Sequence, residues 1–249
     1  MSKREIFRIK IFFTGIILFV ITLSILNSCS FVQGRKISKN KLKKEHHLAD
    51  GSFKNIYASS INKPFSDLIK WSWNRTQPEP FNFKMDKNDP KFLKENREIP
   101  TLTWIGHATL LIQIKGVNIL TDPHLTQRAS PFSFAGPKRY TAPGLLIEDL
   151  PIIDLILISH NHYDSLDKLT IKTLYERQPD KHPKIFVPLK LKQWFLDLGI
   201  KNVTELDWEE SAKFGEWKIH AVPVQHWSSR TPFDRNKTLW AGWVLEAEG

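Results

Sequence analysis

The chain has a single cysteine, Cys29, in 249 residues. No intrachain disulfide can form, so a disulfide-stapled scaffold is excluded. There is no internal repeat and no low-complexity block. Beyond residue 48 there is also almost no net charge. Ten Lys and Arg against Glu5 and Glu45 give residues 1–48 a charge of +8, out of +10 for the whole chain. The folded part therefore lacks the basic face expected of a nucleic-acid-binding domain, and no nucleic-acid partner is expected. A basic arm fits attraction to anionic lipid headgroups better. Nor is there a hydrophobic run of full bilayer length. The uncharged stretch Ile11 to Leu26 has 16 residues, whereas a spanning helix needs about 20.

What the N-terminus does contain is ordered like an export signal. Met1 to Lys10 is basic, Ile11 to Leu26 is apolar, and Leu26-Asn27-Ser28-Cys29 follows. That ending resembles a bacterial lipobox, which implies lipidation of Cys29. The competing reading is an uncleaved membrane anchor. Both place the domain beside a membrane. The expected location is the bacterial cell envelope, as a lipoprotein on the periplasmic face of the outer membrane. The expected organisation is a signal peptide over 1–28, a basic flexible tether over 29–50, and a hydrolase domain over 51–249.

Hydrophobic patterning predicts strands at Thr101 to Ile105, Thr109 to Ile114 and Val117 to Leu120, with Gly106 and Lys115-Gly116 as breaks. Ile152 to Ile158 is nearly continuous in apolar residues, as in a strand covered on both faces. Helices are expected over Asp167 to Glu176 and Leu189 to Leu198. Further strands are expected over Lys184 to Val187, Lys218 to Val224 and Leu239 to Leu245. Trp71-Ser72-Trp73 and Pro78 to Pro90 suggest an irregular aromatic segment packed over the domain. Short strands interleaved with helices indicate a layered α/β sandwich.

The segment Ser159-His160-Asn161-His162-Tyr163-Asp164-Ser165 follows the buried strand directly. In extended backbone, residues two apart share a side, so His160, His162 and Asp164 converge. Two imidazoles and a carboxylate suit Zn2+. A third ligand must come from elsewhere, and His226, in Gln225-His226-Trp227, is the best candidate. A histidine beside tryptophan is as often a packed core residue.

The chain from about His46 onward resembles the metallo-β-lactamase superfamily. More narrowly it is similar to N-acylphosphatidylethanolamine-hydrolysing phospholipase D and its bacterial relatives. Six blocks carry this resemblance in order: Trp104 to Thr109, Leu120 to Pro123, Gly136 to Arg139, Ile158 to Asp164, Glu205 to Trp208, and Gln225 to Trp227 with Asn236 to Trp240. It implies an αββα sandwich, a phospholipid substrate, and a metal-bound hydroxide that attacks phosphorus to release N-acylethanolamine and phosphatidic acid. It also implies that His160, His162 and His226 hold a first zinc and Asp164 a second, with His162 and Asp164 central to catalysis. Asp122 and His107 are expected to orient the ligands through hydrogen bonds; for Asp122 a plain turn role is the alternative. Most of the tryptophans are expected in the core.

Two departures stand out. The family pattern His-x-His-x-Asp-His ends here in Ser165, next to the ligands, so a second zinc is expected to bind more weakly than the first. His220 is a minor candidate to stand in for the missing imidazole. The sandwich is expected to be incomplete at the C-terminus, without the residues that finish a two-metal site. The alternative functions are a metallo-hydrolase acting on a lactone or another phosphodiester, and a non-catalytic degenerate relative. Composition says nothing of the oligomeric state.

Overall fold

The computed structural model describes residues 44–57, 65–74 and 87–247. The expected signal peptide, Cys29, the tether up to residue 43 and the proline-bearing stretch up to residue 86 lie outside the described residues. Among those described, the helices are α1 (Phe65–Asn74), α2 (Pro90–Glu95), α3 (Lys168–Glu176) and α4 (Lys192–Leu196). The strands are β1 (Thr101–Gly106), β2 (Thr109–Ile114), β3 (Val117–Thr121), β4 (Leu155–Leu157), β5 (Lys184–Pro188), β6 (Val203–Leu206), β7 (Ser211–Phe214), β8 (Trp217–Val222) and β9 (Gly242–Ala247). No helix among the described residues is long and apolar enough to cross a membrane.

Strands β1 to β6 form one sheet in chain order, and β7 to β9 form a second. The first three strands are an antiparallel meander, with Ile114 opposite Val117. Lys115 and Gly116, at φ 48° and 73°, close that hairpin. Two consecutive left-handed residues match the right-handed twist of the flanking strands. From β3 onward the pairing is parallel.

Side-chain alternation then divides the core in two. Leu120, Ile156, Ile185 and Val187 face the helix layer, where they meet Ile171 and Leu174 of α3 and Phe195 of α4. Ile119, Leu155, Leu157 and Phe186 point the other way, toward Trp217 and Ile219 of β8 and toward Trp208 and Trp240. Helices on one face of a mixed sheet and a second sheet on the other are the layers anticipated for the metallo-β-lactamase fold. Contrary to the expectation that most tryptophans are core, only Trp208, Trp217 and Trp240 among the described ones are buried, while Trp73, Trp104 and Trp227 are exposed.

Several boundaries differ from the sequence reading. The apolar run at Ile152 pairs as a strand only from Leu155. Upstream, side chains replace the ladder: Gln178 bonds both the N–H and the C=O of Ile153, and Asn118 Nδ2 donates to the Ile152 carbonyl. The last strand begins at Gly242 rather than Leu239. Leu239 and Ala241 instead donate main-chain N–H groups to the carbonyls of Leu189 and Ser159. Strands β6 and β7 were not anticipated, because β7 (SAKF) has little apolar alternation. Trp71 to Trp73 belong to α1, not to an irregular segment.

The tether expectation also shortens. Lys44 to Asp50 pack on the domain: His46 is buried, His47 bridges to Phe53, and Lys44 Nζ donates to the Trp208 carbonyl.

Phe186 is fully buried between the sheets, whereas Leu102 is 69% exposed. Phe186→Ala should lose about 3–5 kcal/mol of unfolding free energy. Leu102→Ala should stay within about 0.5 kcal/mol. Urea denaturation of both variants measures this; equal losses would contradict the two-layer core.

Candidate metal centre

Strand β4 ends at Leu157, and its chain direction carries Ile158, Ser159 and His160 to the carboxyl edge of the parallel strands. Tight main-chain bonds hold the loop that follows: the N–H groups of Ser165 and Leu166 both donate to the His162 carbonyl. Arg230 closes the same loop from across the fold. Its Nη1 donates to the carbonyls of Asn161 and Leu166, each at 2.8 Å, and its guanidinium lies 3.9 Å from the centre of the Tyr163 ring.

His160, His162 and His226 come together, with one nitrogen of each within 4.8 Å of the others. His160 Nε2 and His226 Nε2 are 3.0 Å apart. The rings of His160 and His162 meet edge-on at 4.5 Å, and Trp227 backs His162 at 4.2 Å. A cavity of about 280 Å3 opens beside them, lined in part by Ser159, His160, Gln225 and His226.

Burial keeps these rings neutral. It is the largest cause lowering His160 to about 3, helped by His226 and His162. It likewise leads in lowering His162 to about 4, and it lowers His226. A neutral imidazole offers a lone pair to a metal without first losing a charge-bearing proton.

Asp122 reaches this group through Ser159. Its carboxylate accepts the Ser159 N–H at 2.7 Å and the Ser159 hydroxyl at 2.6 Å. Ser159 Oγ lies 2.8 Å from His160 Nδ1. With Asp122 ionised, the serine hydroxyl donates to the carboxylate and accepts from Nδ1–H. The His160 Nε2 lone pair then faces the centre. Burial raises Asp122 to about 7, against the two Ser159 bonds, and Asp164 adds to the rise. Asp122 also sits at φ 36°, a conformation that Asp tolerates better than most residues.

Asp164 stands on the other side. Its Oδ2 is 3.0 Å from His107 Nε2. Its Oδ1, like His162 Nε2, is buried without a hydrogen-bond partner among the described residues. Buried polar atoms of this kind call for a partner the protein does not supply. The orphaned His162 Nε2, grouped with the facing His160 and His226 nitrogens, fits a divalent cation with nitrogen ligands.

His160, His162 and His226 therefore gather as anticipated, whereas Asp164 is not among the ligand atoms within 4.8 Å of one another, and two further residues also stay out. Ser165 is buried and contributes its N–H to the loop. His220 stands apart from the group, its Nε2 2.8 Å from Glu246 Oε2. Two residues had not been anticipated. Asn55 clamps the main chain of His226, donating from Nδ2 to its carbonyl at 2.8 Å and accepting its N–H at 3.1 Å. The other is Ser159, whose hydroxyl links Asp122 to His160. Asn55 lies 171 positions from His226, and no local pattern links them.

Such a group, at the carboxyl edge of a parallel sheet backed by a second sheet, defines a metal-binding α/β domain of the metallo-hydrolase type. A family model described as "Beta-lactamase superfamily domain" matches residues 117–249, more than half of the sequence, and the chain belongs to this family. Over 155 residues it is 44% identical to N-acyl-phosphatidylethanolamine-hydrolyzing phospholipase D 1 of Caenorhabditis elegans, covering 59% of this chain and 43% of the relative. Over 151 residues it is 35% identical to the mitochondrial N-acyl-phosphatidylethanolamine-hydrolyzing phospholipase D of Saccharomyces cerevisiae, covering 59% and 31%. A metal-dependent hydrolase of Koribacter versatilis is 27% identical over 128 residues, covering 50% and 47%. The aligned stretches thus span less than half of each of these relatives.

Replacing Ser159 or Asn55 with alanine should weaken divalent-metal binding by about 10–100-fold, the range for residues that orient ligands. Competition with a chromophoric chelator reads the affinity. An unchanged affinity in both variants would remove these residues from the support of the centre.

Proposed function

We propose that the chain carries the centre of a zinc-dependent phosphodiesterase that cleaves N-acylphosphatidylethanolamine to N-acylethanolamine and phosphatidic acid. The observation that carries the reading is the neutral His160–His162–His226 group, within a chain 44% identical over 155 residues to a relative bearing that activity in its name. Zinc in such a place acts as a Lewis acid toward phosphoryl oxygens and lowers the pKa of its water to about 7.

In this reading His160, His162 and His226 hold the ion. Asp122 and Ser159 set the His160 tautomer. Asp164 is the oxygen donor for a second ion, and His107 steadies it. With Ser165 offering no imidazole there, the second ion is held more weakly than the first. Arg230 keeps the loop from Asn161 to Leu166 in place.

The full chain, presented with vesicles containing N-acylphosphatidylethanolamine and zinc, should release both products, read by mass spectrometry. His226→Ala should abolish release, whereas His182→Ala should leave it intact. The His182 ring stacks on Tyr175 at 3.7 Å, and its Nδ1 is 2.9 Å from the Tyr175 carbonyl. Turnover unaffected by His226→Ala, or release of free fatty acid in place of phosphatidic acid, would refute the assignment.

We further propose that Cys29 is lipidated and holds the protein at a membrane of the cell envelope. Cys29→Ser should then move the protein into the soluble fraction without changing its zinc affinity. Retention of the variant on membranes would point to an uncleaved anchor.

A further inference from the structure

We propose a second metal site, separate from the histidine group at the sheet edge, in which His46, His47 and Asp207 bind a divalent transition metal such as Zn2+. One nitrogen of each histidine and one carboxylate oxygen lie within 4.8 Å of one another. His46 Nε2 is 2.7 Å from Asp207 Oδ1, and His47 Nε2 is 2.9 Å from Oδ2. The two rings come from consecutive residues and meet edge-on at 4.4 Å, so both nitrogens reach one carboxylate 160 residues away.

The surroundings favour a metal. His46 is 3% exposed and Asp207 4%. The His46 ring stacks on Trp208 at 4.4 Å, which fixes its plane. Burial is the largest cause lowering His46, so the ring is in the neutral form that ligates metal. Burial works against the charge on Asp207, but the His46 hydrogen bond and the nearby Lys44 ammonium help hold its pKa lowered. The site already attracts a cation: Lys44 Nζ lies 3.3 Å from Asp207 Oδ2 and 2.6 Å from the Trp208 carbonyl.

Ligand atoms sharing a tetrahedral zinc stand about 3.3–3.5 Å apart, given metal–ligand bonds near 2.0–2.2 Å. The present separations are about half an ångström shorter. His47, whose side chain is 33% exposed, has room to supply that opening. Each ring proton moves from Nε2 to Nδ1 as Nε2 takes the metal. The Lys44 ammonium is then repelled toward Glu210, whose Oε1 is already 3.8 Å away. Lys44 is thus a built-in competitor for the metal.

The site has a structural consequence. Trp208 follows Asp207 and donates from Nε1 to the Trp240 carbonyl. Trp240 in turn donates from Nε1 to the Val224 carbonyl, with Asn55 Oδ1 at 3.2 Å. A metal at His46, His47 and Asp207 would staple the segment that supplies Asn55 to His226.

The test uses the full chain stripped of metal and titrated with Zn2+ alone in a calorimeter. In a His160→Ala/His162→Ala/His226→Ala background, one equivalent should still bind. Adding His47→Ala should weaken that binding at least about tenfold, and adding Lys44→Met should strengthen it severalfold. Loss of all zinc binding from a folded background variant would overturn the proposal. Should that background fail to fold, Co2+ titration of the otherwise unaltered chain provides the second measurement. It should show one binding event in addition to those at the sheet edge, and His47→Ala should remove that one. Identical stoichiometry and affinities with and without His47→Ala would overturn the proposal.

Discussion

The hydrogen bond between His160 Nδ1 and Ser159 Oγ sets what the carboxyl edge of the sheet can do. Ser159 is itself gripped twice by Asp122, at 2.7 and 2.6 Å. That grip aims the His160 Nε2 lone pair outward, to within 3.0 Å of His226 Nε2. Three imidazoles this close would repel one another if protonated. Burial prevents it and keeps the rings neutral, so each has a lone pair that a cation between them can take. The polar arrangement depends in turn on β4. Both faces of this strand are covered, so its direction is rigid and the loop beginning at Ile158 leaves it at a defined angle.

The remaining ligand and its support come from far away in sequence. His226 follows β8 in the second sheet, and its main chain is clamped by Asn55 from the N-terminal segment. Trp240 ties these together: its Nε1 donates to the Val224 carbonyl while its own carbonyl accepts from Trp208. The inter-sheet core and the metal centre therefore share side chains. Residues 44–57 belong with the domain because they supply both Asn55 and the His46–His47 pair.

Much of this was legible in the sequence where the signal is local. The meander β1 to β3 reads directly from apolar alternation and the Lys115-Gly116 turn. The two-residue alternation expected for His160, His162 and Asp164 holds for the two histidines, but the turn closed on the His162 carbonyl takes Asp164 out of it. Asp122 and His107 were anticipated as supporting residues, and the structure puts the first on Ser159 and the second on Asp164. What was not legible depends on distant partners. Gln178 and Asn118 capture the backbone before Leu155, and this shortens β4 although its apolar run is longer. Basic composition made Lys44 to Asp50 read as tether. Asp207 is what converts that stretch into packed structure, and nothing near residue 44 announces it. Asn55 has no local signature for the same reason: its partner is 171 positions away.

The most direct test of the metal centre is X-ray absorption at the zinc edge of the full chain loaded with a single equivalent of zinc. Imidazole nitrogens at about 2.0–2.1 Å, with the multiple-scattering signature of three histidine rings, are expected from His160, His162 and His226. His47→Ala should leave that spectrum unchanged, which separates this centre from the pair at His46 and His47. A coordination shell made only of oxygen, or a histidine signal that survives His226→Ala undiminished, would contradict the assignment.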